Sequence, residues 1–403
     1  MKTERTWSVD TFDAVDIRTG GGQIIVKGTD DDEVRLEVED PKNPRNTLAI
    51  RQSGRWLYLF PAAGKGKPTV VLHLPRKKTW LLDLVTHQSN FQAENVNAWL
   101  HLMFARGDVA INDCRGALTI ISGNTDVNVR NFVETAVPEK PPKPKELYLE
   151  KGVTSAKFPE WTIDDWAGWG LDIGGKVLRK IFDTTENAGN KPGVSLKIAR
   201  GDVKIQDMET LSCVVRSARG DVTIGDGRIS GLDINVVRGD IHLNSCIPTG
   251  EWNVRTNRGD IKFVSVPGVA ARLNVTTRVG DIHSSIPLVK VTRQGSAWRG
   301  GRMVGTIGAA VGTKEKIPEV RFSTLKGDIH IESGSEDTDY SARLLTVKKP
   351  SPPEPPVPPK SSPNTRESYR TPMEVLDVLS QGRISVDEAE KLLDDMGYRT
   401  RSS

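Results

Sequence analysis

The residues with the strongest chemical character recur as one tripeptide, Arg-Gly-Asp, followed each time by Val or Ile. It stands at Arg106-Gly107-Asp108-Val109, Arg200-Gly201-Asp202-Val203, Arg219-Gly220-Asp221-Val222, Arg238-Gly239-Asp240-Ile241 and Arg258-Gly259-Asp260-Ile261. Looser copies are Val279-Gly280-Asp281-Ile282 and Lys326-Gly327-Asp328-Ile329. A carboxylate beside a guanidinium at fixed spacing could bind a cation, act as an integrin-type ligand loop, or lock a turn. A ligand loop has to be exposed and flexible, whereas the Val or Ile after each Asp begins a strand that dips into a core. Calcium-binding β-rolls use a Gly-Gly-x-Gly-x-Asp nonapeptide that supplies several oxygens per site, and one Asp per turn beside an Arg is a poor cage. The turn reading remains. Gly supplies the φ > 0 that a corner needs, and Asp can accept backbone N–H groups two residues on as an Asx-turn. Asp stacked over Asp at about 4.8 Å repels by about 1 kcal/mol or less in water, which a parallel Arg column can offset.

Other reactive side chains give weaker signals. His242, His283 and His330 share one slot after Gly-Asp-Ile. Two rungs with Lys262 between them put His242 and His283 about 9–10 Å apart, too far to share a zinc ion, so a solvated ladder is expected. Three Cys without C-x-x-C spacing indicate neither a disulfide framework nor a zinc finger, and Cys213 falls on an inward strand position as an inert core thiol. No Ser-His-Asp arrangement or Walker loop can be placed on the pattern. A carbohydrate-active site on a β-helix would draw carboxylates from non-adjacent rungs, and no convergent pair is legible. The expectation is a chain without catalytic residues, metal or cofactor.

The elements that hold these corners follow from the glycine period. From Gly201 the glycines step by 19, 19, 20 and 21 residues to Gly220, Gly239, Gly259 and Gly280, in the range of β-solenoid turns. The next step, 47 residues to Gly327, reads as two turns plus a small insertion. After each Gly-Asp, apolar residues alternate with mostly polar ones (Val203/Ile205, Val222/Ile224, Ile241/Leu243, Ile261/Phe263), and a second alternating run fills the rest of the period (Leu211/Cys213/Val215, Leu232/Ile234/Val236, Trp252/Val254, Leu273/Val275). Two short strands per turn cannot bury a face alone, so successive turns must stack on one shared apolar interior. The fold class expected is all-β, a single-chain β-solenoid or β-helix of about 19–21-residue turns, with a small C-terminal α-hairpin.

Along the chain the reading divides as follows. Residues 1–130 form an N-terminal β region and the first turns, with Gly21-Gly22 as an early corner variant and Gly123-Asn124-Thr125-Asp126 as a weak one. Residues 131–192 are a Pro- and Trp-rich insertion with a short helix. Within it Trp161, Trp166 and Trp169, followed by Ile181 and Phe182, suit an interfacial membrane helix or a partner contact, and docking on the flank of the coil is the plainer alternative. Residues 193–348 are the regular solenoid, ending near Leu344-Leu345, and 349–368 a Pro-rich linker. In 369–399, Thr371-Pro372-Met373-Glu374 and Ser385-Val386-Asp387-Glu388 are capping boxes that open two helices. Their apolar faces are Val375, Leu376 and Leu379, then Ile384, Ala389, Leu392, Leu393 and Met396. A hairpin this small needs a partner, and self-association is expected.

Composition bounds the rest. In 403 residues, 56 Lys+Arg against 52 Asp+Glu give a net charge of +4, too weak a bias to imply nucleic acid. Gly (37) and Pro (24) in a chain only 36% hydrophobic favour a turn-rich β protein. The absence of an apolar leader or an 18-residue apolar stretch suggests a cytoplasmic location, with membrane contact at most peripheral.

The chain resembles the bacterial putative-adhesin family of domains of unknown function. The resemblance rests on Phe12-Asp13-Ala14-Val15, Gly22-Gln23-Ile24-Ile25-Val26, His73-Leu74-Pro75, the serial Gly-Asp-Val/Ile turns and Val304-Gly305-Thr306-Ile307-Gly308, over most of residues 10–335. The tail from Met373 to Leu393 is similar to a SHOCT-type helical module. The resemblance implies a non-enzymatic scaffold or interaction domain, a homo-oligomer through its tail, and by analogy a role in bacterial envelope-stress responses. The Trp-rich insertion is not part of the family pattern.

Overall fold

A computed structural model describes residues 2–39, 49–60, 67–136, 193–287, 289–295, 300–308 and 317–334. All lie in one compact unit, Met1–Ser341. The core of the Trp-rich insertion, the strand near Leu344-Leu345, the Pro-rich linker and the C-terminal hairpin lie outside the described residues, as do their site residues.

The described residues form strands throughout. In chain order these are β1 (Lys2–Ser8), β2 (Ala14–Thr29), β3 (Glu33–Glu39), β4 (Ala49–Ser53), β5 (Trp56–Phe60), β6 (Thr69–Pro75), β7 (Trp80–Glu94), β8 (Asn97–Arg106), β9 (Val109–Asn124), β10 (Val127–Glu134), β11 (Val194–Arg200) and β12 (Val203–Arg219). They continue with β13 (Val222–Gly225), β14 (Arg228–Val236), β15 (Ile241–Pro248), β16 (Trp252–Arg258), β17 (Ile261–Ser265), β18 (Ala271–Thr277), β19 (Ile282–Ser284), β20 (Val289–Gly295), β21 (Gly301–Ile307), β22 (Glu319–Lys326) and β23 (Ile329–Ser333). No helix among them is long and apolar enough to cross a membrane.

Parallel ladders stack these strands into a solenoid. On one long side the order is β5, β2, β7, β8, β9, β11, β12, β14, β16, β22 and β18, closed by the antiparallel β21 and β20. On a second side, β1, β3 and β6 form an antiparallel cap on the far half of β2, followed by β7, β9, β10, β12, β13, β15, β17, β23 and β19. The long strands β2, β7, β9 and β12 bend round a corner and serve both sides. Alternation gives the register its force, because a one-residue slip would turn every core residue outward. Thus Val203, Val222, Ile241, Ile261 and Ile329 pair in sequence on the second side, and Leu118, Val194, Cys213, Leu232, Trp252 and Val320 on the first, all buried.

Three features differ from the sequence reading. Several turns have a short third side, where Phe132 pairs with Cys114 and Met208, and Arg228 with Glu209 and Ile247. Each turn therefore has three corners' worth of bends rather than two strands back to back. The insertion begins later than residue 131, because β10 runs to Glu134 and lies between β9 and β12. The interval between Gly280 and Gly327 is not two further turns. The chain runs from β17 into β18 and β19, makes the antiparallel β20–β21 excursion, and returns so that β22–β23 fits between the Gly259 and Gly280 rungs. Pairing of Trp252 with Val320 and of Val320 with Leu273 fixes this order. The last described strands in sequence are thereby interior to the stack, and Phe322, with its ring 5.3 Å from that of Phe263, is fully buried.

The central placement of β22 makes Phe322→Ala expensive: urea unfolding should show a loss of about 3–5 kcal/mol despite the position near the end of the solenoid. A loss under about 1 kcal/mol would contradict the interleaved rung order.

Candidate functional site

Backbone contact at the Gly-Asp corner explains the glycine. Gly220 has φ = 133°, and a Cβ there would lie 2.0 Å from the carbonyl oxygen of Gly201 in the rung beneath. The same contact repeats up the stack, with Gly239 over Gly220, Gly259 over Gly239, Gly327 over Gly259 and Gly280 over Gly327. Gly107 sits over Ser89 and Gly201 over Thr125, so the weak Thr125-Asp126 corner is a true rung. Gly22, with φ = 124°, is the early variant at the other end.

The aspartates form a ladder between rungs. The Oδ1 of Asp202 accepts the N–H of Asp221 at 2.9 Å, Asp221 that of Asp240 at 2.8 Å, and Asp240 that of Asp260 at 2.8 Å. Asp260 accepts from Asp328 and Asp328 from Asp281, each at 2.8 Å. Asp126 accepts from Asp202 at 2.9 Å, and Asn90 accepts from Asp108 at 3.1 Å. The expected Asx-turn within each corner is thus corrected: these carboxylates accept the N–H of the next Asp, which stacking brings within hydrogen-bond distance. The Arg column does not neutralise them. Arg106, Arg200, Arg219, Arg238 and Arg258 are exposed, and among the described residues no ion pair joins them to the Asp ladder. Asn90 serves in the ladder without a charge, so the position requires an acceptor rather than an anion.

Two further columns escaped the sequence reading. Asn95, Asp113, Asn131, Asp207, Asp226 and Ser245 all have φ between 51° and 55° and mark a second corner. Each stands five residues after its ladder residue, a spacing that is visible once the first column is aligned. Short polar side chains tolerate this left-handed backbone. Inside the Gly corner, Thr256, Thr324 and Thr277 donate to the carbonyls of Gly239, Gly259 and Gly327 at 3.0, 3.2 and 3.0 Å. They satisfy acceptors that would otherwise be buried without partners.

The imidazoles are also rearranged. Because β23 lies between β17 and β19, the column runs His242, Lys262, His330, His283. His330 and His283 are neighbours, stacked with ring centroids 5.0 Å apart, rather than separated members of one ladder. Lys262 pairs with Glu332 at 2.9 Å. Among the described residues no group of three or more His, Cys, Asp or Glu side chains is placed to hold a metal ion. A shallow groove of about 500 Å³ follows the ladder's early rungs past Gln23, Asn90, Asp108, Asp126, Asp202 and Lys204. Cys114, Cys213 and Cys246 are free and buried, and burial pushes their thiols up, to about 11 for Cys114 and about 12 for Cys246. They are protonated at neutral pH and are poor nucleophiles.

A second cluster lies on the outer face of the long side. Ala14, Trp56, Tyr58 and Leu81 are buried there, with Phe60 and Trp99 against them, apart from the main core. Register places Tyr58 beside Asp16, Asp16 beside Asp83, and Asp83 beside His101. The Asp16 carboxylate accepts from Arg18 Nε at 3.0 Å, and His101 Nδ1 lies 3.4 Å from Asp83. Burial, then the Asp16 carboxylate, pushes the Tyr58 phenol up to about 12.

These interactions have measurable consequences. Gly220→Ala should lower the unfolding free energy by about 3 kcal/mol or more. Gly54→Ala, at a turn with φ = 56° and no atom within 4 Å of the new Cβ, should cost only about 1–2 kcal/mol. Asp240→Asn should be near neutral while Asp240→Ala costs about 1–2 kcal/mol, because asparagine keeps the acceptor for the Asp260 N–H. Equal losses would mean that the charge matters. In the unfolded chain Tyr58 ionises near its ordinary value of about 10 and in the folded chain near 12, so stability should fall as pH rises from about 10 to 12. Tyr58→Phe should flatten that fall in alkaline thermal melts.

Residues 10–332 match the model of the Toastrack DUF4097 family. None of the curated proteins matches the chain. Among solved structures it is similar to a putative cell adhesion protein from Clostridium sporogenes (7% identity, 83% of this chain and 99% of that chain covered, TM-score 0.21). It is also similar to putative adhesins from Parabacteroides distasonis (13%, 83% and 97%, TM-score 0.31) and Parabacteroides merdae (10%, 83% and 96%, TM-score 0.25). The match spans the whole described solenoid from the first corner to the last rung, and the chain belongs to the Toastrack DUF4097 family.

Proposed function

We propose that this chain is a non-enzymatic scaffold: an adhesin-like solenoid that presents a fixed surface to protein partners and is multimerised by its C-terminal hairpin, residues 369–399. The observation that carries the reading is the use made of the Asp ladder. The most regular array of chemically able side chains has its Oδ1 atoms engaged in holding one rung to the next, so its repetition serves the fold. Buried, protonated thiols support the same reading. The solenoid holds side chains at fixed positions, and a self-associating tail would make several weak contacts act together, since tethered sites bind at high effective concentration. A role in envelope-stress sensing suits such an assembly.

Light scattering on the full chain beside a chain ending near Lys349 tests the proposal. The expected result is self-association of the full chain and a monomeric truncated form. Two monomers would overturn the assembly role of the tail, and two oligomers would place the interface on the solenoid.

A further inference from the structure

We infer that the column of cations at the Gly-Asp corner is a binding ridge for a linear acidic polysaccharide, a chain that carries carboxylate or sulfate groups at regular intervals. Backbone hydrogen bonds assemble the column. Gly201 N–H donates to Arg219 O at 3.1 Å, Gly220 to Arg238 at 3.1 Å, Gly239 to Arg258 at 2.9 Å and Gly259 to Lys326 at 3.0 Å. Arg200 pairs with Arg219 across the adjoining strands. Arg200, Arg219, Arg238, Arg258 and Lys326 therefore stand in single file on successive rungs, at about 4.8 Å per rung and about 19 Å from end to end. All five are exposed, and among the described residues none of them forms an ion pair.

The fold does not require these charges. Its needs at the corner are met by the glycine, packed on the rung beneath, and by the Asp carboxylate that accepts the next N–H. Neutral residues complete the same column at both ends: Gln88 and Asn124 flank Arg106, and Val279 follows Lys326. Like charges on adjacent strands repel, yet the run is unbroken over five rungs. The Asp repeat serves the stack, whereas the cation repeat is left facing solvent. The approach to it is along the long side, since the Asp ladder lies across the glycine. On that flank Arg255 is exposed, and Asp233 is neutralised by Arg216. A straight row of guanidinium groups suits an extended polymer with regularly spaced oxyanions, each of which an Arg fork can hold through two N–H donors. No aromatic side chain stands beside the column on this flank among the described residues, so it lacks the stacking platforms that single-stranded nucleic acid needs. The ridge is independent of the scaffold proposal, which concerns the Asp ladder and the tail.

Calorimetric titration of the full chain with heparin, which carries sulfates, and with polygalacturonate, which carries carboxylates alone, tests this. At least one should bind, and the tighter of the two identifies the anion; binding of neither overturns the inference. Replacing Arg200, Arg219, Arg238 and Arg258 together by Gln should weaken binding about thirtyfold or more and make the fall of log affinity with log salt shallower by about 3. The same loss of charge elsewhere on the solenoid, at the exposed Arg115, Arg130, Arg228 and Arg272, should change affinity by less than about threefold. Equal losses in the two variants would mean that bulk charge attracts the polymer, and would overturn the ridge. Among single changes, Arg238→Gln should weaken binding about threefold while Arg106→Gln, which has the same local motif but neutral neighbours in the column, leaves it unchanged. The fourfold ridge variant should melt at or above the temperature of the unaltered chain; a fall of more than about 5 °C would give the Arg column a structural role and overturn the inference. Tighter ridge-dependent binding to oligodeoxythymidine, or to vesicles of phosphatidylglycerol in phosphatidylcholine, would assign the ridge to a nucleic acid or a membrane and equally overturn it.

Discussion

Successive turns meet backbone against backbone at the Gly-Asp corner, and the rest of the solenoid depends on that contact. With a Cβ at Gly220 only 2.0 Å from the carbonyl of Gly201, no side chain fits unless the rungs separate. Separation would lengthen the ladder hydrogen bonds on both adjoining sides and the Asp-to-Asp bonds that link the corners. Glycine is therefore required by contact with the neighbouring rung as well as by its own φ. The threonines inside the corner complete the arrangement by donating to glycine carbonyls that face the interior.

This constraint explains how the fold tolerates interruption. The segment between β10 and β11 leaves and re-enters at one edge of a rung, and β10 still lies between β9 and β12. Each rung contacts only its neighbours, so an excursion at a bend leaves the stack intact. The same locality lets β22–β23 fit between two earlier rungs, since a rung recognises its neighbours through backbone pairing and an apolar row that all rungs share. Order in sequence is then a matter of connection, and the antiparallel β20–β21 pair closes the long side at β18.

The solenoid has two apolar regions of different origin. The interior is the product of strict alternation and continues from the N-terminal cap to the last rung. The outer cluster around Trp56, Tyr58 and Leu81 breaks the polar-outward rule on a few strands and brings two carboxylates, Asp16 and Asp83, into a dry setting beside Arg18 and His101. Buried charge of this kind persists where it is paired, as Asp16 is with Arg18.

Much of the architecture was legible in the residues themselves. The period of the Gly-Asp corners, the alternation after each and the inward place of Cys213 follow from local chemistry, because φ > 0 selects glycine and a half-buried strand selects alternation. The Asn and Asp residues five positions after the ladder carried the second corner in plain spacing. What the linear pattern could not decide was neighbourhood. All rungs carry nearly the same motif, so the sequence is compatible with stacking in chain order, and only the three-dimensional pairing puts Val320 between Trp252 and Leu273 and brings His330 against His283. For the same reason the motif suggests that Asp closes its own turn, whereas the donor it serves belongs to the next rung. Sequence determines which residues make a rung, and tertiary structure decides which rung each one meets, because stacking energy depends on partners distant along the chain.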